Sequence, residues 1–311
     1  MSESFESAPR FRVGVVGAGR VGAVLGAALD RAGHRVVAVS AVSEESRDRA
    51  AALLPGVPVQ EVQDVVAAAD LVLIAVPDDV LPDLVAGLTA VTAFRPGQIV
   101  VHTSGRFGVG VFEPAGATEI LPVALHPAMS FTGTEVDLDR LSGACFAVTT
   151  LRDLQPLGEA LVLEMGGEPI WVEEEDRALY HAGLTLGAYH LAALVAQSTR
   201  LLEDAGIADP GRILAPLLGT ALDNALRQGD RALTGPVALG DATTVAEHLA
   251  ELASEPEIRS TYQALARATV DLARQQGRLR PAAAASVLDV LRDGPGDVEP
   301  DGPDPHTGSG A

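Results

Sequence analysis

The sequence predicts an α/β protein with a doubly wound, mostly parallel sheet in its N-terminal half and an all-helical C-terminal domain. Three observations support this prediction. Short apolar runs alternate with helical stretches from about residue 11 to residue 125, which is typical of βαβ units. A glycine-rich turn joins the first apolar run to its helix. From about Glu173 onward, the chain becomes rich in Ala and Leu at helical spacing.

Several short apolar runs in the N-terminal half predict strands. These runs are Phe11–Val16, Val36–Val39, a weaker Val57–Gln60, Leu71–Val76, Ile99–Val101 and Leu121–Leu125. Leu71–Val76 is uniformly apolar, as expected of a strand that is covered on both faces. Helices are predicted at Arg20–Ala32 and from about Glu44 to Leu54. Residues 146–172 predict a strand, a helix and a strand that could extend the sheet.

The C-terminal half predicts helices only. Asp176–Ala205 contains no internal proline and is long enough for about eight helical turns. Further helices are predicted at Gly211–Arg227, Thr243–Ala253, Glu257–Gly277 and Ala282–Arg292. The predicted organisation is a flexible N-terminus at 1–10, an α/β domain at 11–145, a connecting segment at 146–172, a helical domain at 173–292 and a disordered acidic tail at 293–311.

Composition restricts the partners and the compartment of the protein. The net charge of -20 argues against a nucleic-acid partner, because a phosphate backbone repels such a surface. We expect no membrane helix, because no apolar run reaches the roughly 18–20 residues that one needs, and Met1–Arg12 lacks the features of a signal peptide. The single cysteine, Cys145, lies in an apolar run and is predicted to be a core residue. These observations predict a cytoplasmic protein without a membrane partner.

The turn after the first strand has the pattern G-x-G-x-x-G. Its first glycine permits a tight turn, its second lets the backbone approach a pyrophosphate, and its third lets helix and strand pack closely. The motif predicts a Rossmann-like domain that binds a dinucleotide through Gly17, Ala18, Gly19, Arg20, Val21 and Gly22. A similar turn that binds S-adenosylmethionine is the alternative.

The end of the second strand favours NADP(H) over NAD(H). NAD-specific sites place an acidic residue there, but this chain has Ser40 and, three residues later, Ser43. Both hydroxyls could donate to a 2′-phosphate, and Arg47 or Arg20 could neutralise it. The alternatives are that Arg47 is a solvated helix residue and that Glu44 or Glu45 reaches a ribose.

Polar residues follow three strands at the sheet edge where ligands bind in open α/β folds. One strand ends at Val76-Pro77, the next at His102-Thr103-Ser104 and the last at His126. We expect Val76, Pro77 and Thr103 to contact the cofactor, and His102, His126 and Ser104 to be catalytic. A histidine suits this role because its pKa lies near neutrality, although polar residues at strand ends can also serve only the loop backbone.

The long predicted helix adds His181 as a further catalytic candidate. His190 lies nine residues later, about 180° around a regular helix, and is interpreted as a packing residue. The chain contains no lysine, so an ammonium proton donor is excluded. The sequence shows no spacing typical of metal ligands and no G-x-S-x-G elbow.

With these residues collected, the chain resembles a family of largely uncharacterised NADP-dependent oxidoreductases that join a Rossmann-like domain to a helical C-terminal domain of unknown function, DUF2520. The residues that match are Gly17–Gly22, Val76-Pro77-Asp78, His102–Gly105, His126-Pro127, Tyr180-His181-Ala182, Asn224 and Ala232–Pro236. The chain departs from the family at Tyr189, where Asn is usual, and at Leu239, where Arg is usual.

The resemblance implies hydride transfer to or from a small carbonyl or imine held between the two domains, in a homodimer built by the helical domains. More distantly, the chain is similar to pyrroline-5-carboxylate reductases, ketopantoate reductases and β-hydroxyacid dehydrogenases. In the last group a lysine on the long helix donates the proton, and His181 is the nearest equivalent here. Two other functions stay open: a non-catalytic NADP(H)-binding sensor or scaffold, and a deazaflavin-linked oxidoreductase.

Overall fold

The computed structural model of this protein describes residues 10–292. The predicted flexible start, apart from Arg10, and the predicted acidic tail lie outside the described residues. The chain divides into two compact units, of which the first extends to His190 and the second begins at Leu191.

A seven-stranded sheet forms the centre of the first unit. Its strands are β1 (Arg12–Val16), β2 (Arg35–Ser40), β3 (Leu71–Ile74), β4 (Ile99–His102), β5 (Leu121–Pro127), β6 (Cys145–Thr150) and β7 (Glu168–Trp171). Their order is β2-β1-β3-β4-β5-β6-β7, and every neighbouring pair is parallel except β5 and β6. The predicted mostly parallel sheet is therefore confirmed, and β6 and β7 extend it as residues 146–172 suggested.

Helices cover both faces of this sheet. They are α1 (Arg20–Arg31), α2 (Glu44–Leu53), α3 (Val62–Ala68), α4 (Leu81–Ala90), α5 (Val136–Arg140) and α6 (Gln155–Glu164). Successive residues of a strand point to opposite faces, so Val15 packs with Leu25 of α1 whereas Val16 packs with Val85 of α4. The uniformly apolar strands are thus explained by burial on both sides.

Two predictions in this unit are wrong. Val57–Gln60 is not a strand, because only Val59 forms a bridge, to Val39, and Pro58 has no N–H to extend a ladder. Cys145 is exposed, not buried, because it is the first residue of β6 and burial begins at the next residue, Phe146.

The long helix is interrupted by a π-helical turn. It comprises α7 (Arg177–Leu184), the π-turn Thr185–Tyr189 and α8 (His190–Asp204). A π-turn uses i→i+5 hydrogen bonds and shifts the angular positions of all later residues. The angle of about 180° expected between His181 and His190 from regular α-helical spacing therefore does not apply.

Between Leu191 and Arg292, the described part of the second unit, the regular elements are all helices, as predicted. After α8 come α9 (Gly211–Gln228), α10 (Pro236–Leu239), α11 (Ala242–Glu251), α12 (Pro256–Gln275) and α13 (Pro281–Val290). The buried core is supplied mainly by α11, α12 and α13, through residues such as Val245, Val270 and Val287. Asp241 caps α11 by accepting a hydrogen bond from the Thr244 N–H at 3.1 Å.

One helical stretch, Glu174–Asp204, is long and apolar enough to cross a membrane by length and composition alone, with a mean hydropathy of 1.2. This corrects the expectation that no apolar run reaches that length. None of its most apolar window is buried within the described part of the chain. A single helix of this kind is weak support for a membrane span, because packed helices of soluble proteins pass the same test.

Candidate functional site

The glycine loop has a separate geometric reason for each of its three glycines. Gly17 has φ +94°, and a Cβ there would lie 2.6 Å from the Ala75 carbonyl oxygen. A Cβ at Gly22 would lie 2.1 Å from the Gly17 carbonyl oxygen, so α1 packs closely on the strand end. A Cβ at Gly19 would meet no atom of the described chain within 4 Å, so this backbone faces open space.

The start of α1 suits an anionic ligand. Its first turn contains no acidic residue, and no side chain within residues 10–292 caps its N-terminus at Gly19. The free N–H groups and the positive end of the helix dipole therefore remain available for a phosphate group. Binding of a pyrophosphate by Gly17–Gly22 stays a prediction with which this geometry is compatible.

Two arginines converge beside this loop. Arg49 of α2 donates from Nη1 to the Ala18 carbonyl oxygen at 3.4 Å. A Cβ at Gly133 would lie 2.7 Å from Arg49 Nε and 3.1 Å from Arg20 Cγ, so the chain after β5 packs directly on both arginines. Arg47, which the sequence offered together with Arg20 as a partner of a 2′-phosphate, is exposed, whereas Arg49 is half-buried. Helix pattern alone did not single out Arg49, because its position depends on how α2 packs.

Asp137 holds the chain after β5 in place beside these arginines. Its buried carboxylate accepts hydrogen bonds from Thr132 N at 2.8 Å and from Gly133 N at 2.7 Å. Burial opposes ionisation, but these hydrogen bonds outweigh it and lower the pKa of Asp137 below its usual value. The carboxylate therefore acts as a fixed anchor for the loop.

The two predicted serines make hydrogen bonds within the loop structure. Ser40 is buried, and its Oγ accepts a hydrogen bond from Gly17 N at 3.0 Å. Ser43 caps α2 by accepting from Ser46 N at 3.2 Å. Ser43 also hydrogen-bonds the Glu45 carboxylate, which helps to lower the pKa of Glu45. A role of Ser40 and Ser43 in binding a 2′-phosphate stays a prediction.

A cavity of about 330 Å³ opens beside the glycine loop. It is lined by Arg20, Val21, Thr103, His126, Pro127, Met129, Ser130, Phe131 and Tyr189. The structure thus brings together four predicted site residues, from the start of α1 and from the ends of β4 and β5. Tyr189, at the end of the π-turn, contributes an aromatic wall.

His126 is hydrogen-bonded to a residue that sequence reasoning did not assign a role. Its Nδ1 lies 2.9 Å from Tyr180 Oη, and its ring lies edge-on to His181 at 6.1 Å between centroids. Gly105 permits this arrangement, because a Cβ there would lie 2.9 Å from both His126 Nε2 and His181 Cδ2. The sequence shows Tyr180 next to His181 near the start of a predicted helix. It does not show that Tyr180 pairs with His126 on β5.

Burial keeps the His126–Tyr180 pair uncharged at neutral pH. The pKa of His126 is lowered to about 4, first by burial and then by electrostatic interactions with Arg177 and His181. Burial raises the pKa of Tyr180. A neutral imidazole and a neutral phenol can each donate a hydrogen bond to an oxygen or nitrogen that gains negative charge.

His102 and Ser104 shape the loop behind the cavity. His102 is fully buried; its Nε2–H donates to the Gly108 carbonyl oxygen at 2.9 Å, and its Nδ1 accepts from Ser104 N at 3.2 Å. Burial lowers the pKa of His102 to about 4. Ser104 Oγ accepts hydrogen bonds from Arg106 N and Phe107 N. The geometry therefore favours the alternative interpretation of these two residues, in which they serve the loop backbone.

Two family models match the sequence. A Rossmann-like domain matches residues 2–127, and DUF2520, a domain of unknown function, matches residues 144–269. No protein of curated function matches the chain.

Solved structures with a similar fold include several reductases. A candidate NADP oxidoreductase of Bacteroides fragilis is 21% identical, with a TM-score of 0.70 over 84% of this chain and 98% of that one. An imine reductase of Myxococcus stipitatus, in complex with NAD⁺, is 17% identical, with a TM-score of 0.56 over 90% of this chain and 100% of that one. A pyrroline carboxylate reductase of Plasmodium falciparum, with NADP bound, is 12% identical, with a TM-score of 0.55 over 89% of this chain and 98% of that one. At these identities the comparison establishes the fold.

Proposed function

We propose that this chain, which contains a Rossmann-like domain and a DUF2520 domain, is an NADP(H)-dependent oxidoreductase acting on a small carbonyl or imine. One observation carries the proposal: the phosphate cradle of Gly17, Gly19 and α1 opens onto the same cavity that His126 lines. A dinucleotide on the cradle and a small substrate beside His126 would therefore share one site.

The names of similar structures support the type of chemistry. An imine reductase and a pyrroline carboxylate reductase both act on carbon–nitrogen bonds, and their structures hold NAD⁺ and NADP respectively. Both share the fold of this chain at low identity. They favour hydride transfer over a purely regulatory role for the dinucleotide.

The proposal gives a role to His126, which lines the cavity, and to Tyr180, which is hydrogen-bonded to it. When bound, the nicotinamide supplies or accepts a hydride. His126 lines the cavity and offers a neutral imidazole N–H to the substrate oxygen or nitrogen as charge develops there. Tyr180 Oη orients His126 by donating to Nδ1. As the Nε2 proton passes to the substrate, the phenol proton would move to Nδ1, which keeps the imidazole neutral and leaves a phenolate that solvent reprotonates. The geometry favours His126 over His181 as the proton donor, because His126 lines the cavity and is hydrogen-bonded to Tyr180.

A thermal-shift screen with NADPH, NADH, S-adenosylmethionine and a reduced deazaflavin tests the cofactor. We expect NADPH to stabilise the protein most, because a ligand that binds only the folded state raises its stability. The Gly19→Asp variant is the matched control, since it places a carboxylate against the pyrophosphate and should abolish the shift. Stabilisation by S-adenosylmethionine alone would contradict the proposal, and NADPH binding without turnover of any carbonyl or imine would favour a sensor.

A further inference from the structure

Arg177 is a buried cation at the start of α7. Its exposed fraction is 1%, and none of the ion pairs within residues 10–292 involves it. Burial lowers its pKa to about 10, against the opposing effects of Tyr180 and Glu174, so the guanidinium stays charged at neutral pH. Burying a charge without a salt bridge is unfavourable unless hydrogen bonds compensate it.

The guanidinium of Arg177 is compensated by neutral oxygens. Nε donates to Thr149 Oγ1 at 2.7 Å, and Nη1 donates to the Ser104 carbonyl at 3.3 Å. Nη2 donates to the carbonyls of Ala124 at 3.2 Å and Ala147 at 3.0 Å. One side chain therefore joins the chain after β4 to β5 and β6, beneath the candidate site.

The same helix turn carries the residues that face His126. Tyr180 and His181 follow Arg177 at i+3 and i+4, the spacing that places side chains on one helix face. One turn earlier, Glu174 accepts hydrogen bonds from Val109 N at 2.8 Å and Gly110 N at 3.1 Å. Arg177 and Glu174 thus fix the position of α7 along the edge of the sheet.

His126 lies close enough to this cation for the charge to lower its pKa, as does His102, while Thr149 binds the guanidinium directly. The register partner of His126 on β6 is Ala147, whose carbonyl accepts from Arg177. The other titratable groups around the imidazole are Tyr180 and His181 on α7 and His102 on β4, and Cys145 influences Tyr180. No carboxylate is among them. Glu174 interacts with Arg177 itself, but the guanidinium still lowers the pKa of His126.

We infer that Arg177 is a positioning residue of the candidate site, which fixes Tyr180 and His181 against His126 and holds a permanent positive charge behind the imidazole. A neutral amide side chain could donate hydrogen bonds to some of the same carbonyl oxygens. We therefore assign the function of Arg177 to its positive charge. It disfavours an imidazolium at His126 and stabilises negative charge on a reacting atom in front of it. The inference rests on the proposed function in one respect: that function places a reacting substrate atom beside His126.

The test is an NMR titration of the histidine Cε1–H resonances, with His126 assigned by comparison with His126→Gln. The variants are Arg177→Gln, which removes the charge but keeps polar atoms, and Arg177→Lys, which keeps the charge. In Arg177→Gln we expect the pKa of His126 to rise from about 4 toward the ordinary 6.5, while burial prevents the full return. In Arg177→Lys we expect it to stay low. Arg200→Met, which removes an exposed arginine paired with Glu255, is the matched control and should change nothing.

An unchanged His126 titration in Arg177→Gln would overturn the inference, as would an equal rise in Arg177→Lys and Arg177→Gln. If Arg177→Gln fails to fold, Arg177→Met, which also removes the charge, takes its place in the titration. A wild-type His126 pKa near 6.5 would overturn the inference by itself. Thermal shifts with NADPH on the same samples separate the two proposals. Failure of NADPH to bind wild-type protein would remove the proposed function but leave the titration result standing.

Discussion

His126 on β5 and Tyr180 on α7 are joined by a hydrogen bond of 2.9 Å between Nδ1 and Oη, across 54 residues of sequence. We expect His126→Gln to lower turnover of a carbonyl or imine substrate by about 10²–10⁴-fold, the usual contribution of a proton donor. Steady-state kinetics measure this, once the thermal-shift and substrate screens supply a substrate. NADPH affinity should stay within about twofold. Unchanged turnover would exclude His126 as the donor.

Tyr180→Phe should lower turnover less than His126→Gln does, because Tyr180 acts through His126. The variant removes only the Oη partner and keeps the edge-to-face ring contact with His126. His181→Gln serves as the comparison, since His181 contacts His126 at 6.1 Å between ring centroids. A larger loss in His181→Gln than in His126→Gln would return the donor role to His181, the residue that the sequence favoured.

Arg49→Gln should weaken NADPH binding by about tenfold, or about 1.4 kcal/mol, because Arg49 lies against the glycine loop. Arg47→Gln, two residues earlier on the same helix and exposed, is the matched control and should change affinity less. NADPH fluorescence titration measures both. Wild-type protein should bind NADPH more tightly than NADH, and a tenfold preference for NADH would contradict the assignment of Ser40, Ser43 and the arginines.

The protein should lose stability as the pH falls from about 6.5 to about 4. His102 and His126 have folded pKa values of about 4 against 6.5 when unfolded, so the unfolded chain binds more protons in this window. The contribution of the two neutral histidines to the free energy of unfolding is fully present above about pH 6.5. Each histidine lowers that free energy by about 1–3 kcal/mol as the pH falls from about 6.5 to about 4. Urea unfolding at several pH values measures the slope. His102→Gln should flatten it, and a wild-type slope of zero would contradict the burial of these histidines.

The helical C-terminal unit should form a homodimer. Within the described chain α8 has no buried residue, and α9 buries only Leu214 while Leu226 is 79% exposed. Such unpartnered apolar faces mark interaction surfaces. Leu226→Glu should shift light scattering toward the monomer, whereas Val42→Glu, at an 89% exposed position in the first unit, should not. A wild-type monomer at micromolar concentration would contradict the prediction.

The sequence alone determined the sheet, the glycine loop and the helical second half. Continuous apolar runs predict strands buried on both faces, helical spacing predicts helices, and the expected roles of Gly17, Gly19 and Gly22 follow from backbone geometry at fixed spacing. The same local logic failed at Val57–Gln60, where one proline ends the pairing after a single bridge.

Only the tertiary structure decided which polar residues meet. His126 and Tyr180 lie on different elements, and Arg177 finds its acceptors on three segments of chain that sequence spacing cannot relate. The choice of Arg49 over Arg47 depends on how α2 packs, and the place of Tyr189 depends on a π-turn without a clear sequence signal. Sequence patterns predict helices and strands because those elements form from residues close together in the chain. The site depends on contacts between residues far apart in the chain, and only the packing of the elements sets these contacts.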